Sequence, residues 1–327
     1  MAAATTFDSR AGAFSLVTSP AAEAIIVLLP GDISAPKDRM LRDPELAPFA
    51  AWSCESIAEL LAKRWPRCHA LVVHPPRLQD GFVCYDGWLD QFDQCGDPIG
   101  GYTSTGSACT ALLDHIRGAQ VALMDTTAFR GVGNSDPSTL PLRLVSFSHG
   151  AVALNQVLAE ISGLEETEAG VEASAASLIL ERAESWVWLD PGLAQEPGAG
   201  ILLGHRGLLR AGARNLRKRA KAALDAGGDG IVGVQIAVAL TPYQRQPPES
   251  WIRGWRLSWS WPPLMRESFA SAARRRFLRT LRHAGLESDN NVALHSENCL
   301  ADRAASLETH FEVLTAFSAP WDAARQK

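Results

Sequence analysis

The chain predicts an α/β fold: a mainly parallel sheet with helices on both faces. Three observations carry that reading. Short, continuous apolar runs such as Ala24–Leu29 and Ile231–Leu240 have the length and uniform character of parallel strands covered on both sides. Segments with helical spacing alternate with those runs, which implies βαβ units. The stretch Leu142-Arg-Leu-Val-Ser-Phe-Ser-His-Gly-Ala-Val-Ala-Leu-Asn155 reads as strand, sharp turn, helix.

The elements follow in chain order. Residues 1–20 are small-residue-rich and read as a disordered tail. They have no apolar signal core and are too poor in arginine for an organelle transit peptide. Ala24 to Ile33 is a buried strand ended by Pro30-Gly31. Ser53 to Trp65 is a helix with apolar Ile57, Leu60, Leu61 and Trp65, an N-cap at Ser53 and a stop at Pro66. His69 to Pro75 is the next strand. Leu78 to Gly106 shows no clear period and reads as a structured excursion over the active-site end. Ala108 to Met124 is a helix, and Gly131 to Leu140 is a loop into the strand–turn–helix stretch. Ser162 to Ala176 is acidic and loop-like. Glu184 to Gly192 is a strand closed by Asp-Pro-Gly. His205 to Ala226 is a basic helical segment, and Ile231 to Leu240 is a strand ended by Thr-Pro. An aromatic stretch, Trp251 to Trp261, leads to a helix over Met265 to Ala284. Asn291 to His295 is the last strand and Leu307 to Phe317 the last helix.

Composition narrows the function classes. The 327 residues are 46% apolar and 20% charged, with a formal net charge of −5. That balance gives no electrostatic reason to expect a nucleic-acid partner. No apolar run approaches the roughly 20 residues that span a bilayer. The six cysteines form no CxxC pair and no zinc-like spacing with histidine. They read as reduced thiols of an intracellular protein.

The chemistry concentrates at Ser146-Phe-Ser-His-Gly150. A serine on a strand-to-helix turn, bracketed by small residues, is the nucleophile elbow of α/β-hydrolases, written G-x-S-x-G. Ser146 replaces the first glycine. Residues 21–327 therefore read as a single α/β-hydrolase-like domain. Ser148 is the candidate nucleophile, and it needs a histidine base that is itself oriented by an acid. Chain order in this fold is serine, acid, histidine, which Ser148, Asp190 and His310 satisfy. Glu249, in the loop after Ile231–Leu240, competes with Asp190 for the acid role. The backbone N–H of His149 and that of Gly31 or Asp32 would form the oxyanion hole. His149 is read for its N–H rather than its ring.

Plainer readings stand beside these. A serine at such a turn can be only a helix cap, and Asp190 only a turn residue. His69, His74 and His295 fall in strands, and His115, His205 and His283 in helical segments. Gly198 to Gly204 resembles a dinucleotide fingerprint but is misspaced and follows no strand. Arg206 to Lys221 reads as a solvated basic face. Trp255, Leu257, Trp259 and Trp261 alternate with polar residues. They are candidates for an acyl-chain entrance or for peripheral membrane contact, and equally for a flap packed on the core.

Motifs along nearly the whole chain resemble the chromosome-2 open reading frame 69 family of α/β-hydrolase-like proteins. They are Leu28-Leu-Pro-Gly-Asp32, Ile57-Ala-Glu-Leu-Leu-Ala-Lys-Arg-Trp-Pro66, Phe82-Val-Cys-Tyr-Asp86 and Ser146 to Gln156. Trp188-Leu-Asp-Pro-Gly192, Thr241-Pro-Tyr-Gln244, Ser250-Trp-Ile252 and Leu307-Glu-Thr-His-Phe311 complete them. The resemblance implies a serine lipase/esterase-like fold and, for relatives, association with mitochondria. By position it implies the elbow serine at Ser148, the acid-bearing turn at Asp190 and the late histidine at His310. The chain departs from that pattern in carrying His149 where relatives tend to carry Lys. It also lacks a further histidine after the Asp190 turn. It lacks an Asp in the loop after Gln244 as well, which favours Asp190 over Glu249.

The expectation is a serine hydrolase of a small-molecule or lipid ester with an apolar acyl part, with no metal and no organic cofactor. It would be cytoplasmic, or mitochondrial by the family resemblance. The alternative is a non-catalytic hydrolase-fold protein that binds a protein or lipid partner.

Overall fold

A computed structural model describes residues 3–79, 81–125, 136–164, 174–191, 234–245 and 292–323, together with Arg279. Its strands are β1 (Thr5–Ser9), β2 (Gly12–Val17), β3 (Ala24–Leu29), β4 (Cys68–Val73), β5 (Arg77–Gln79), β6 (Phe82–Cys84), β7 (Leu142–Phe147), β8 (Ala183–Leu189), β9 (Val234–Leu240) and β10 (Val292–Asn298). Among the described residues, eight of them form one sheet in the order β1-β2-β4-β3-β7-β8-β9-β10, and β5-β6 is a separate hairpin. All pairings from β4 to β10 are parallel. β2 lies antiparallel to β4, and β1 antiparallel to β2. With the strand–turn–helix at the end of β7, this is an α/β-hydrolase fold.

Helices cover both faces. They are α1 (Lys37–Arg42), α2 (Cys54–Arg64), α3 (Ala108–Asp125), α4 (Ala151–Ser162), α5 (Ala175–Arg182), α6 (Pro242–Arg245), α7 (Leu307–Ala316) and α8 (Pro320–Ala323). The strands are apolar on both sides because each side meets helices. Ile25, Val27 and Leu29 of β3 pack in one cluster with Leu112, Ile116, Val157 and Ile179 of α3, α4 and α5. Ala24, Ile26 and Leu28, their alternates, pack in the other with Ile57 and Leu61 of α2 and Phe311 and Leu314 of α7. The same alternation holds in β8, where Trp186 and Trp188 enter the first cluster and Val187 and Leu189 the second.

Local signals set the helix ends. Ser53 caps α2, its side chain accepting from Ser56 N–H at 3.3 Å. Glu160 of α4 caps α3, its carboxylate oxygens accepting from Ala108 and Cys109 N–H at 2.8 Å each. That anion at a helix N-terminus also fixes α3 against α4.

The connection β3–α2–β4 crosses one face and β4–α3–β7 the other. Strand order therefore reverses between β3 and β7, which are neighbours in the sheet. In an open α/β sheet the crevice outside the carboxyl ends of two such strands is where functional groups collect. Pro30-Gly31-Asp32 leaves β3 there, and Ser148 leaves β7 there.

The N-terminal segment corrects the expected disordered tail. Residues 5–17 form β1 and β2, and Phe14 is wholly buried and stacked on Phe7 with centroids 5.6 Å apart. Small residues at positions 1–20 mask the strand signal, but β2 covers the edge that β4 would otherwise present. α5 also replaces part of the expected Ser162–Ala176 loop, starting at Ala175. The expected segments His205–Ala226, Trp251–Trp261 and Met265–Ala284 lie outside the described residues, apart from the single helical residue Arg279. No helix among the described residues is long and apolar enough to cross a membrane.

Phe14→Ala tests the N-terminal correction. Loss of this buried ring is expected to cost about 3–5 kcal/mol in urea unfolding. An unchanged midpoint would return the segment to the status of a tail.

Candidate active site

The elbow is built from close backbone approach. Ser148 has φ +52°, a left-handed conformation for a residue with a side chain, and opens a 3₁₀ turn, Ser148–Gly150, that runs into α4. A Cβ on Gly150 would stand 2.0 Å from the Leu29 carbonyl oxygen, so glycine is required there. The first small position is less demanding. Ser146 is buried in β7, and its hydroxyl donates to Val187 O at 3.4 Å.

Asp190 and His310 come together at the same end of the sheet. Asp190 follows β8 with φ +43° and is fully buried. Its Oδ1 accepts from Thr241 N–H at 2.8 Å, and its Oδ2 accepts from the Thr241 hydroxyl and from His310 Nδ1 at 2.6 Å. An ionised carboxylate only accepts, so the proton of that last bond lies on Nδ1. Nε2 is then the ring nitrogen able to take a proton. His310 stands in the first turn of α7 behind the Ser306 cap. Its ring stacks on Tyr243 (centroids 4.5 Å) and lies 4.6 Å from that of Phe147, the residue before Ser148. Glu249, the rival acid, lies outside the described residues.

The other side of Ser148 is a second cluster. A Cβ on Gly31 would sit 2.3 Å from Ser148 Cβ and 2.8 Å from Phe147 O, so this turn touches the elbow directly. The turn is anchored by the excursion over 78–106, as Tyr85 donates its hydroxyl proton to Pro30 O at 2.7 Å and Val83 N–H donates to Asp32 Oδ1 at 2.8 Å. The ring of His149, read from sequence only for its backbone N–H, is buried between two carboxylates. Asp32 Oδ1 is 3.4 Å from Nδ1 and Asp97 Oδ1 is 3.8 Å from Nε2. Burial pulls the imidazole pKa down, but Asp32, with Asp97 behind it, outweighs burial and raises it to about 9. Burial raises the Asp97 carboxyl to about 6, against the opposing pull of His149.

The remaining described histidines of the core behave as structural groups. Burial lowers His69 and His115 to about 4. His74 bonds Ser15 Oγ through Nε2 at 2.7 Å. Four residues at the site were not singled out from sequence: Thr241, Tyr243, Tyr85 and Asp97. The Thr-Pro that ends β9 was a local signal for the first, whereas Tyr85 and Asp97 act across dozens of residues. The Gly198–Gly204, Arg206–Lys221 and Trp251–Trp261 stretches lie outside the described residues.

Comparison with known proteins bears out the family resemblance read in the sequence. The C2orf69 family model matches residues 15–97. The chain is 27% identical over 303 residues to "Mitochondrial protein C2orf69 homolog" of Danio rerio, covering 89% of this chain and 72% of that one. It is 21% identical to "Mitochondrial protein C2orf69" of Homo sapiens, covering 89% and 74%. Among solved structures it is similar to the siderophore hydrolase EstB of Aspergillus nidulans (TM-score 0.46, 12% identity, 95% of this chain and 92% of that one). It is also similar to a ferulic acid esterase (TM-score 0.41, 9% identity, 96% and 95%).

The His149 shift has a consequence for stability. Its pKa is raised on folding from 6.5 to about 9, so its contribution is complete below pH 6.5 and is lost as pH rises through about 9. In Asp32→Asn the main cause of that shift is gone. Wild type is expected to exceed Asp32→Asn in unfolding free energy at pH 7 by at most on the order of 3 kcal/mol, with the gap closing by pH 10. Urea titrations of both proteins at each pH check this, and a gap that stays constant across the range would refute it.

Proposed function

We propose that the protein is a serine hydrolase of esters with an apolar acyl part. The observation that carries this reading is the pairing of His310 Nδ1 with buried Asp190 at 2.6 Å, at the same sheet end as a serine held at φ +52°. A histidine oriented by a buried acid is the base that a serine nucleophile requires. The apolar acyl part is proposed from the tryptophan alternation at 255–261.

In this mechanism Ser148 Oγ attacks the ester carbonyl carbon while its proton passes to His310 Nε2. Asp190 stabilises the imidazolium through Nδ1. The carbonyl oxygen becomes an oxyanion, met by the N–H of His149 and that of Gly31 or Asp32. Collapse breaks the bond to the alkoxy oxygen, and His310 returns the proton to the departing alcohol. Water, deprotonated by His310, then attacks the acyl-serine; the bond to Ser148 Oγ breaks, His310 returns the proton to Oγ, and the acid leaves. Thr241 orients Asp190 with two hydrogen bonds. A mitochondrial location is proposed from the names of the relatives.

A fluorophosphonate probe tests the reading. Wild type is expected to label, and Ser148→Ala to lose labelling entirely. Hydrolysis of p-nitrophenyl esters should fall by about 10⁴-fold in Asp190→Asn and about 10⁶-fold in His310→Ala, with p-nitrophenyl butyrate preferred to acetate. Folded wild type that stays unlabelled from pH 6 to 9 would defeat the proposal. It would leave a hydrolase-fold protein that binds rather than turns over its ligand.

A further inference from the structure

The cluster on the far side of Ser148 has no part in the proton transfers above. Its ring, however, belongs to His149, whose backbone N–H is the first proposed oxyanion donor. The carboxylate against that ring belongs to Asp32, beside or itself the second. The Pro30–Asp32 turn abuts the elbow at Gly31 and is also held from the 82–85 side, by Tyr85 and Val83. We propose that the His149 side chain is a positioning residue: as a cation between Asp32 and Asp97, it fixes the spacing of the two backbone donors that receive the oxyanion. This rests on the serine-hydrolase reading.

Three observations support it. A neutral imidazole carries one N–H and can face only one acceptor as a donor. Here both ring nitrogens face carboxylates, at 3.4 and 3.8 Å, an arrangement that favours the doubly protonated ring. These are ion-pair distances, and the Gly96 backbone is a further group that favours the protonated ring. Finally, Asp97 is buried at a cost. Its carboxyl is raised to about 6, so keeping it ionised at neutral pH destabilises the folded state. A group with a purely structural task would be better replaced by a neutral one.

The charged surroundings are otherwise of one sign or neutral. Beside burial, Asp93 acts on Asp97, Asp97 and Asp32 act on Cys95, and Asp32 acts on Cys84, Tyr85 and Tyr243. Arg77, beyond Cys84, is paired with Asp86.

The test is the second-order rate of fluorophosphonate labelling from pH 6 to 10.5, with melting temperature measured on the same samples. Wild-type labelling should decline as pH rises through about 9. His149→Gln should label at least roughly tenfold more slowly at pH 8, short of the ~10²–10³ lost when an oxyanion donor is removed outright, and should lack that decline. His149→Lys, which keeps a cation to higher pH, should recover to within about threefold of wild type and hold its rate beyond the wild-type limit. Asp97→Asn should move the decline to lower pH while melting at a higher temperature at pH 8, a combination that a structural role does not produce. Wild-type rates in His149→Gln overturn the proposal, as does His149→Lys as slow as His149→Gln. If His149→Gln does not fold, an Asp97→Asn profile that coincides with wild type overturns it. All three leave the serine-hydrolase reading standing. Wild type that does not label, or Ser148→Ala that does, overturns that reading and this proposal with it.

Discussion

The contact between the turn after β3 and the turn after β7 is the constraint on which the site depends. The two strands are hydrogen-bonded neighbours, and their chains leave toward opposite faces, one into α2 and the other into α4. For one step they occupy almost the same space. Gly150 lies under the Leu29 carbonyl and Gly31 against Ser148, and neither position has room for a Cβ. Given that contact, the left-handed Ser148 backbone is held by its surroundings rather than by its own preference. The Ser148 side chain is thereby set against Gly31 at the crevice. A looser junction would keep the sheet and lose this geometry.

A fully buried carboxylate such as Asp190 is expensive to desolvate and persists only when its lone pairs are met. Thr241 and His310 supply three donors to it, from the ends of β9 and the start of α7. α7 is in turn docked through Phe311, which stacks on Trp52 at 5.0 Å and packs against Phe147. The histidine is therefore positioned by aromatic packing on one face of the sheet. Because Phe147 immediately precedes Ser148, the residue that seats α7 also belongs to the elbow strand.

How much of this was legible follows from distance along the chain. The elbow could be read because strand, turn and helix are contiguous, and the tolerance of Ser146 follows from a β7 position with room for a hydroxyl bonded to Val187. β3, β4, β8 and β9 could be read because burial on both faces writes a largely apolar run, broken in β8 and β9 by Ser185 and Gln235, which bond each other. β2 could not, since only Phe14 and Leu16 mark its buried side and Ser15 is buried through His74 rather than by being apolar. His149 was read only for its N–H because its ring partners stand 117 and 52 residues away, on Asp32 and Asp97. Nothing local to Ser148 announces a buried cation. Thr241 was visible as the end of a strand, but its service to Asp190 exists only once β8 and β9 are paired.

Two imidazoles thus flank the elbow in opposite electrostatic settings. Among the described residues His310 has one carboxylate, Asp190, on one nitrogen, the setting that the proposed base requires. His149 has a carboxylate facing each nitrogen and is biased toward the charged form across the neutral range. A group so biased is a poor proton shuttle and a good fixed charge. The division follows from where each acid stands. Asp190 closes β8 and reaches one side of a helix-borne ring. Asp32 and Asp97 come from two loops that close on a ring carried by the elbow itself. In the proposed mechanism the same residue type therefore divides into a proton-accepting site and a fixed charge through the placement of three aspartates.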